Sequence, residues 1–262
     1  MTGLVWDRVR LEIDGRVVLD DLSLRAARGE VLGIVGPNGA GKSSLLRCAS
    51  GLARARRGAI SWEGEDLGVL APGIRARHVA FLPQGQEAAW PVTVEEAVAL
   101  GRLPHGGGGR DADSRAVASA LARAGVADLA HRRLDTLSGG ERARALLARA
   151  LAVEAPALLL DEPCAALDPR HRIAAMELFV RLAREGSCVC VVLHDLALAA
   201  RHCDRIAVLD RGRLVALGKP VEALRDDVLA RVYGVRAARA EIDGAPLILP
   251  WALVGQAEEP VS

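Results

Sequence analysis

The chain has 262 residues, 51% apolar and 26% charged, which is enough for one large domain or a domain carrying an insertion, and unlike disordered or fibrous compositions. Lysine and arginine number 34 against 33 acidic residues, so at a formal charge of +1 no global basic field recruits nucleic acid. The longest apolar runs, at 157–160 and 189–193, fall far short of the ~20 residues a membrane-spanning helix needs.

The first residues alternate apolar and charged instead of joining a basic start to an apolar stretch, so no secretory signal is expected. Val9, Leu11 and Ile13 alternate with Arg10 and Glu12, Asp14-Gly15 offers a tight turn, and Leu22 and Leu24 alternate again. This predicts half-buried antiparallel strands. From residue 31 the pattern changes to short continuous apolar runs at 31–35, 79–82, 157–160 and 191–193, as parallel strands covered on both faces require. Each run ends in polar residues: a glycine-rich loop, Gln84, Asp161-Glu162 and His194. Ligands of open α/β sheets gather at such carboxyl ends.

Between Gln84 and Leu137 the spacing turns helical, as in Val117, Leu121 and Ala124, with a flexible connector at Gly106 to Gly109. A helix is predicted over 221–232, followed by a tail containing Pro246 to Pro250 in which no chemistry is read. The five cysteines, Cys48, Cys164, Cys188, Cys190 and Cys203, form an odd set without C-x-x-C spacing, which fits reduced thiols better than a disulfide frame. The only lysines are Lys42 and Lys219, so a chain that otherwise uses arginine keeps a compact ammonium at position 42.

Three motifs carry chemistry. Gly36, Pro37, Asn38, Gly39, Ala40, Gly41, Lys42 and Ser43 spell G-x-x-x-x-G-K-S between a predicted strand and a predicted helix from Ser44. Glycine backbones let N–H groups converge on a polyphosphate, Lys42 reaches the outer phosphates, and the Ser43 hydroxyl is a Mg²⁺ ligand. The apolar run 157–160 ends in paired acids, with Asp161 placed to hold the metal and Glu162 to orient or deprotonate water; its plain structural reading is a solvated strand end. The third motif is Leu137, Ser138, Gly139, Gly140 and Glu141. Ser138 and Glu141 read as an ordinary capping box, but two glycines in a first helical turn cost helix stability and suggest close approach of a phosphate.

Together these residues resemble the ATP-binding subunits of ATP-binding cassette (ABC) transporters, over nearly the whole chain. The resemblance implies an α/β fold: a P-loop NTPase core with a mainly parallel sheet, an N-terminal antiparallel β subdomain and an inserted helical subdomain. The expected boundaries are 1–83 and 136–220 for the core, 84–135 for the insertion and 221–262 for a C-terminal helix and tail, all within one ABC ATPase domain. It implies a nucleotide site of residues 36–44, Ser44 included, with Gln84 as the Q-loop glutamine that also touches the metal beside Ser43 and Asp161. Glu162, His194 and Lys42 become the catalytic set, Asp168 the D-loop aspartate, and Ser138 to Glu141 the signature that meets the ATP of a second copy. Taken singly, Gln84 reads as a surface glutamine, Asp168-Pro169 as a helix start and His194 as a structural histidine.

The resemblance also has departures. The aromatic residue that stacks on adenine in this family is replaced by Ile13, Trp6 lies too far upstream to be assumed a substitute, and Arg142-Ala143-Arg144 lacks the glutamines often found there. The segments LPQGQEAAWPVTVEEAVALGRLPH and HDLALAARHCDRIAVLDRGRLVALG, with the PLILP tail, resemble importers of iron–siderophore complexes, haem and cobalamin. That implies ATP and Mg²⁺, a head-to-tail homodimer, two permease subunits, indirectly an extracytoplasmic binding protein, and a peripheral place on the cytoplasmic face of the inner membrane. The alternatives are an exporter or other-solute transporter, a soluble ABC ATPase acting on nucleic acid, ribosomes or cofactor assembly, and a nucleotide-binding regulator without turnover. Near-zero charge, a single cassette and no long coiled-coil arms count against the soluble class, so no nucleic-acid partner is expected.

Overall fold

The computed structural model describes residues 3–85, 91–106 and 109–255. Residues 86–90 (just after Gln84), Gly107 and Gly108 of the glycine connector, and residues 256–262 of the C-terminal segment lie outside the described residues.

The alternating N-terminus forms β1 (Gly3–Ile13) and β2 (Arg16–Ala27), an antiparallel pair turned at Asp14-Gly15, both at positive φ. The inward positions Leu4, Trp6, Val9, Leu19 and Leu22 are buried, as a pleat with one face on a core dictates. The continuous run becomes β3 (Glu30–Val35), buried throughout, and leads through the glycine loop into α1 (Lys42–Ser50). β4 (Arg57–Trp62) and β5 (Glu65–Asp66) complete an antiparallel sheet of order β2-β1-β4-β5. α2 (Pro72–His78) then leads to β6 (Val79–Leu82).

A helical section follows: α3 (Val94–Ala99), a 3₁₀ stretch Leu100–His105, α4 (Arg110–Arg123) and α5 (Gly139–Leu151). Its apolar centre joins Val94, Val98, Val117, Leu121 and Leu134 to Ala145 and Ala148 of α5. The other face of α5, through Leu146, Leu147 and Ala150, packs on the main sheet. One helix is thus shared by two cores.

β7 (Ala157–Asp161), α6 (Pro169–Arg184), β8 (Cys188–Val192), α7 (Leu196–His202), β9 (Arg205–Asp210) and β10 (Arg213–Gly218) finish the main sheet, order β10-β9-β3-β8-β7-β6. All its neighbours pair in parallel except β10 with β9. Val31 and Val35 face α5, α6 and α7, while Leu32 and Ile34 face α1 and the antiparallel sheet. Full burial of each such side chain contributes about 2 kcal/mol. All five cysteines are buried and free, and burial pushes the Cys48 and Cys164 thiols up to about 11, which keeps them protonated at neutral pH.

The C-terminal segment departs from expectation. In place of one helix over 221–232 there are two, α8 (Pro220–Ala223) and α9 (Asp226–Tyr233). Leu224 leaves helical geometry (φ −101°, ψ 41°), and Asp226 and Asp227 in the next first turn favour a fresh N-terminus. The expected tail is an antiparallel hairpin, β11 (Val235–Ile242) and β12 (Ala245–Leu253), turned at Asp243-Gly244. Ile248 of β12 is buried in the layer that contains α7.

Candidate functional site

Because β6, β7, β8 and β3 are parallel neighbours, the residues that follow them meet at one edge of the sheet. A cleft of about 680 Å³ there is lined by residues 38–44 of the glycine loop together with Val18, Gln84, Glu162 and His194. The loop leaves β3 and enters α1, so its N–H groups and the positive end of the helix share one place. Two of its glycines are obligatory. A Cβ on Gly36, at φ +154°, would lie 2.2 Å from Leu209 O; one on Gly41, at φ +97°, would lie 2.8 Å from Leu19 Cδ2.

Lys42 is buried, and its Nζ donates to Gly36 O at 2.8 Å and Pro37 O at 2.9 Å. Burial lowers its pKa below the ordinary lysine value, opposed by the charges of Glu162 and Asp161. Ser43 Oγ donates to Asp161 Oδ1 at 2.9 Å. Burial raises the Asp161 pKa above the ordinary carboxylate value; the Ser43 hydrogen bond opposes this and the Glu162 charge adds to it.

Asp161 Oδ2 is buried without a hydrogen-bond partner. An orphaned carboxylate oxygen beside a hydroxyl fits a hard divalent cation. No group of three or more His, Cys, Asp or Glu suited to a metal occurs among the described residues, so such a cation would take its remaining oxygens from water and phosphate, as Mg²⁺ does.

Glu162 follows at φ +52°, a left-handed conformation that is strained for a non-glycine residue and recurrent at functional sites. Gln84 Nε2 donates to its Oε2 at 2.6 Å, and His194 Nε2 lies 2.5 Å from its Oε1. Both carboxylate oxygens are therefore engaged. Three strand ends that the sequence marks separately form one chain of contacts.

Ser138, Gly140 and Glu141 do not line this cleft, while Gly139 borders a neighbouring groove shared with Gln84, Glu162 and Ala166. The Ser138 side chain caps α5 by accepting from Glu141 N at 3.3 Å, and Glu141 Oε2 accepts from Ser138 N at 2.8 Å. The structural reading of those two residues holds within one chain, and it leaves the glycines unexplained. A Cβ on Gly139 would meet nothing within 4 Å, and one on Gly140 would make only ordinary contacts, with Ala166 O at 3.6 Å and Leu167 Cδ2 at 3.8 Å. Asp168 also stands apart from the cleft. It caps α6, accepting from His171 N at 2.9 Å and pairing with His171 Nδ1 at 2.8 Å. The backbone hydrogen bond, then the imidazole, lower its pKa.

Trp6 is a core residue whose Nε1 donates to Leu45 O at 3.1 Å, which removes it as a base-stacking residue. Val18 on β2 supplies an apolar wall of the cleft that the sequence does not single out.

A profile described as ABC transporter matches residues 19–165. The hemin import ATP-binding protein HmuV of Nocardia farcinica is 45% identical over 251 residues, covering 95% of this chain and 87% of that protein. The cobalamin import ATP-binding protein BtuD of Halobacterium salinarum strain ATCC 29341 is 43% identical, covering 87% of this chain and 58% of that protein. Among solved structures, an ATP-binding subunit of an ABC transporter superposes with a TM-score of 0.76 at 28% identity, covering 90% of this chain and 95% of that one. The chain belongs to the ABC transporter family. Within it, the chain is an ATP-hydrolysing importer subunit with the P-loop NTPase fold, and it works with membrane permease subunits. No described helix is long and apolar enough to cross a membrane.

Proposed function

We propose that the cleft binds ATP, with residues 36–44 cradling the triphosphate, and that the cargo driven by its hydrolysis is haem or a related metal-bearing compound such as cobalamin or an iron complex. The observation that carries the site assignment is the convergence of Lys42, Gln84, Glu162 and His194 on one cleft, from four adjacent parallel strands. Ser43, Asp161 and Gln84 would hold Mg²⁺, which when bound neutralises phosphate charge.

Glu162 accepts the proton of the attacking water and aims it in line with the bond to be broken. Lys42 leaves its loop carbonyls for the outer phosphates, and His194 donates to the departing phosphate. Positioning and electrostatics supply most of the rate.

The exposed start of α5, Ser138 to Glu141, closes over the triphosphate held by a second copy, and Asp168 lies at that junction. The open space beside Gly139 and Gly140 supports this: nothing in the chain itself asks for glycine there. ATP thereby becomes part of a head-to-tail interface, and its loss loosens the pair. Two permease subunits carry the motion across the membrane, with an extracytoplasmic binding protein delivering cargo, and the subunit lies peripherally on the cytoplasmic face.

Haem stands first among cargoes because HmuV matches at higher identity and over more of the chain than BtuD. The test is ATPase activity of the chain reconstituted with its permease. Lys42→Ala should abolish it, and hemin with its binding protein should stimulate it more than cobalamin does. Stimulation by neither would overturn the cargo assignment and leave the ATP site standing.

A further inference from the structure

Gly101-Arg102-Leu103-Pro104-His105 closes the first of the segments that resemble importers of iron complexes, haem and cobalamin, and the cleft described above uses none of these residues. They lie in the 3₁₀ stretch Leu100–His105, beside the C-terminal end of α5, the helix whose other end carries Ser138 to Glu141. Arg102, with a side chain only 11% exposed, reaches three acceptors. Its Nε donates to Asp113 Oδ1 at 2.9 Å in the first turn of α4, and its Nη1 donates to Ala152 O at 2.7 Å and Glu154 Oε2 at 2.8 Å just past α5. His105 Nε2 lies 2.7 Å from Val153 O, and because a carbonyl only accepts, the ring nitrogen is the donor.

A Cβ on Gly101 would lie 2.3 Å from Arg149 O and 3.0 Å from Ala152 Cβ, so only glycine lets the stretch press against the last turn of α5. Pro104 O accepts from Arg77 Nε at 2.6 Å, on α2, the helix that leads into β6 and Gln84. The carbonyls just past α5 are thus held from outside by a guanidinium and an imidazole, at the end where the helix dipole favours donors. α5 has 13 residues, about 20 Å of helix, so a tilt of about 5° about its C-terminal end carries its first turn by almost 2 Å. Misplacement of a reacting group by about 1 Å can cost roughly 10²-fold in rate.

We propose that Arg102 is a positioning residue for hydrolysis: it anchors the C-terminal end of α5 and thereby aims Ser138 to Gly140 at the triphosphate held by the second copy. This rests on the reading of Ser138 to Glu141 as that contact. The planar fork of a guanidinium serves three acceptors from two nitrogens, whereas the ammonium of a lysine keeps the charge and most of the stem without the fork. An arginine needed only to neutralise Asp113 and Glu154 would give way to lysine with no loss of turnover.

Arg102→Lys and Gly101→Ala disturb the same junction by different means, one by loosening the grip and the other by pushing on Arg149 O. In the permease-bound transporter each should lower kcat about tenfold and leave the KM for ATP near its native value. Equilibrium binding of MgATP to the full chain, read by competition with a fluorescent ATP analogue, should be unchanged, because the chain's own cradle is untouched. Arg102→Lys should also melt close to the native chain; should one variant fail to fold, the other decides. A native kcat in the folded variants would overturn the proposal, and so would a loss of kcat matched by an equal weakening of MgATP binding. Ser138→Arg, which crowds the contact itself, should abolish turnover; native turnover there would overturn the reading of Ser138 to Glu141, and this proposal with it.

Discussion

Ser43 Oγ donates to Asp161 Oδ1 at 2.9 Å, a hydrogen bond spanning 118 residues of sequence that ties the first turn of α1 to the end of β7. The other oxygen of Asp161 is buried and unpartnered, and burial raises its pKa above the ordinary value of 3.8. A carboxyl raised in the folded chain binds its proton more readily folded than unfolded. Its favourable contribution is complete below the unfolded value and is lost as pH rises through the folded one. At neutral pH, without metal, the ionised group is a burden on the fold.

Asp161→Asn should therefore raise the melting temperature at neutral pH in chelator-containing buffer. The gain over the native chain should shrink as pH falls toward the ordinary carboxylate range. The same variant should lose ATP turnover. Thermal unfolding across pH checks the first part, and an unchanged or lowered melting temperature at pH 7 would show that Oδ2 is not the strained atom the geometry describes.

Glu162→Gln should keep ATP binding and lower turnover by roughly 10²-fold or more, as removal of a base or water-orienting group does. With hydrolysis blocked and MgATP saturating, the variant should accumulate as a nucleotide-bound dimer in the presence of the permease. Light scattering and phosphate release report the two outcomes. Turnover near that of the native chain would take Glu162 out of the chemistry.

Gly139→Ala separates local stability from assembly. The added methyl meets open space, and alanine in place of glycine within a helix is worth about 0.8 kcal/mol, so the isolated chain should gain stability. ATPase activity of the assembled transporter should nevertheless fall, because the methyl stands where the partner's nucleotide is to fit. A variant both more stable and fully active would free the glycine of that role.

Gly36→Ala should do the reverse, costing about 2 kcal/mol or more in denaturant unfolding as an incompatible backbone site does. The new Cβ would lie 2.2 Å from Leu209 O at φ +154°. Nucleotide binding should be lost with it.

The parts of the site visible in the sequence are those whose signal is local. The spacing of Gly36, Gly41, Lys42 and Ser43, and the acids closing an apolar run at Asp161, state their chemistry within a few residues, and the parallel sheet then had to bring them together. Val18 carries no such signal: it is one position in an alternating strand, and only tertiary packing brings it to the wall of the cleft. The C-terminal hairpin reads as a tail in the sequence: Asp243-Gly244 is a turn pair, but the first strand, rich in alanine and arginine, has little β-propensity to flank it. The break inside the predicted helix over 221–232 is hidden for a similar reason, since at Leu224 it is a matter of backbone angle and not of a proline or glycine.

Lys42 rests its ammonium on the carbonyls of Gly36 and Pro37, inside a loop already shaped by its own glycines. The cation thereby acts as a stand-in, occupying its own cradle until an anion arrives. The loss of backbone freedom that a floppy loop would suffer on capture has already happened during folding, so the encounter asks only for a short swing of one flexible side chain. Preorganisation of this kind lets a small, weakly apolar cleft seize a highly charged guest quickly and let it go again, which suits a motor that must cycle.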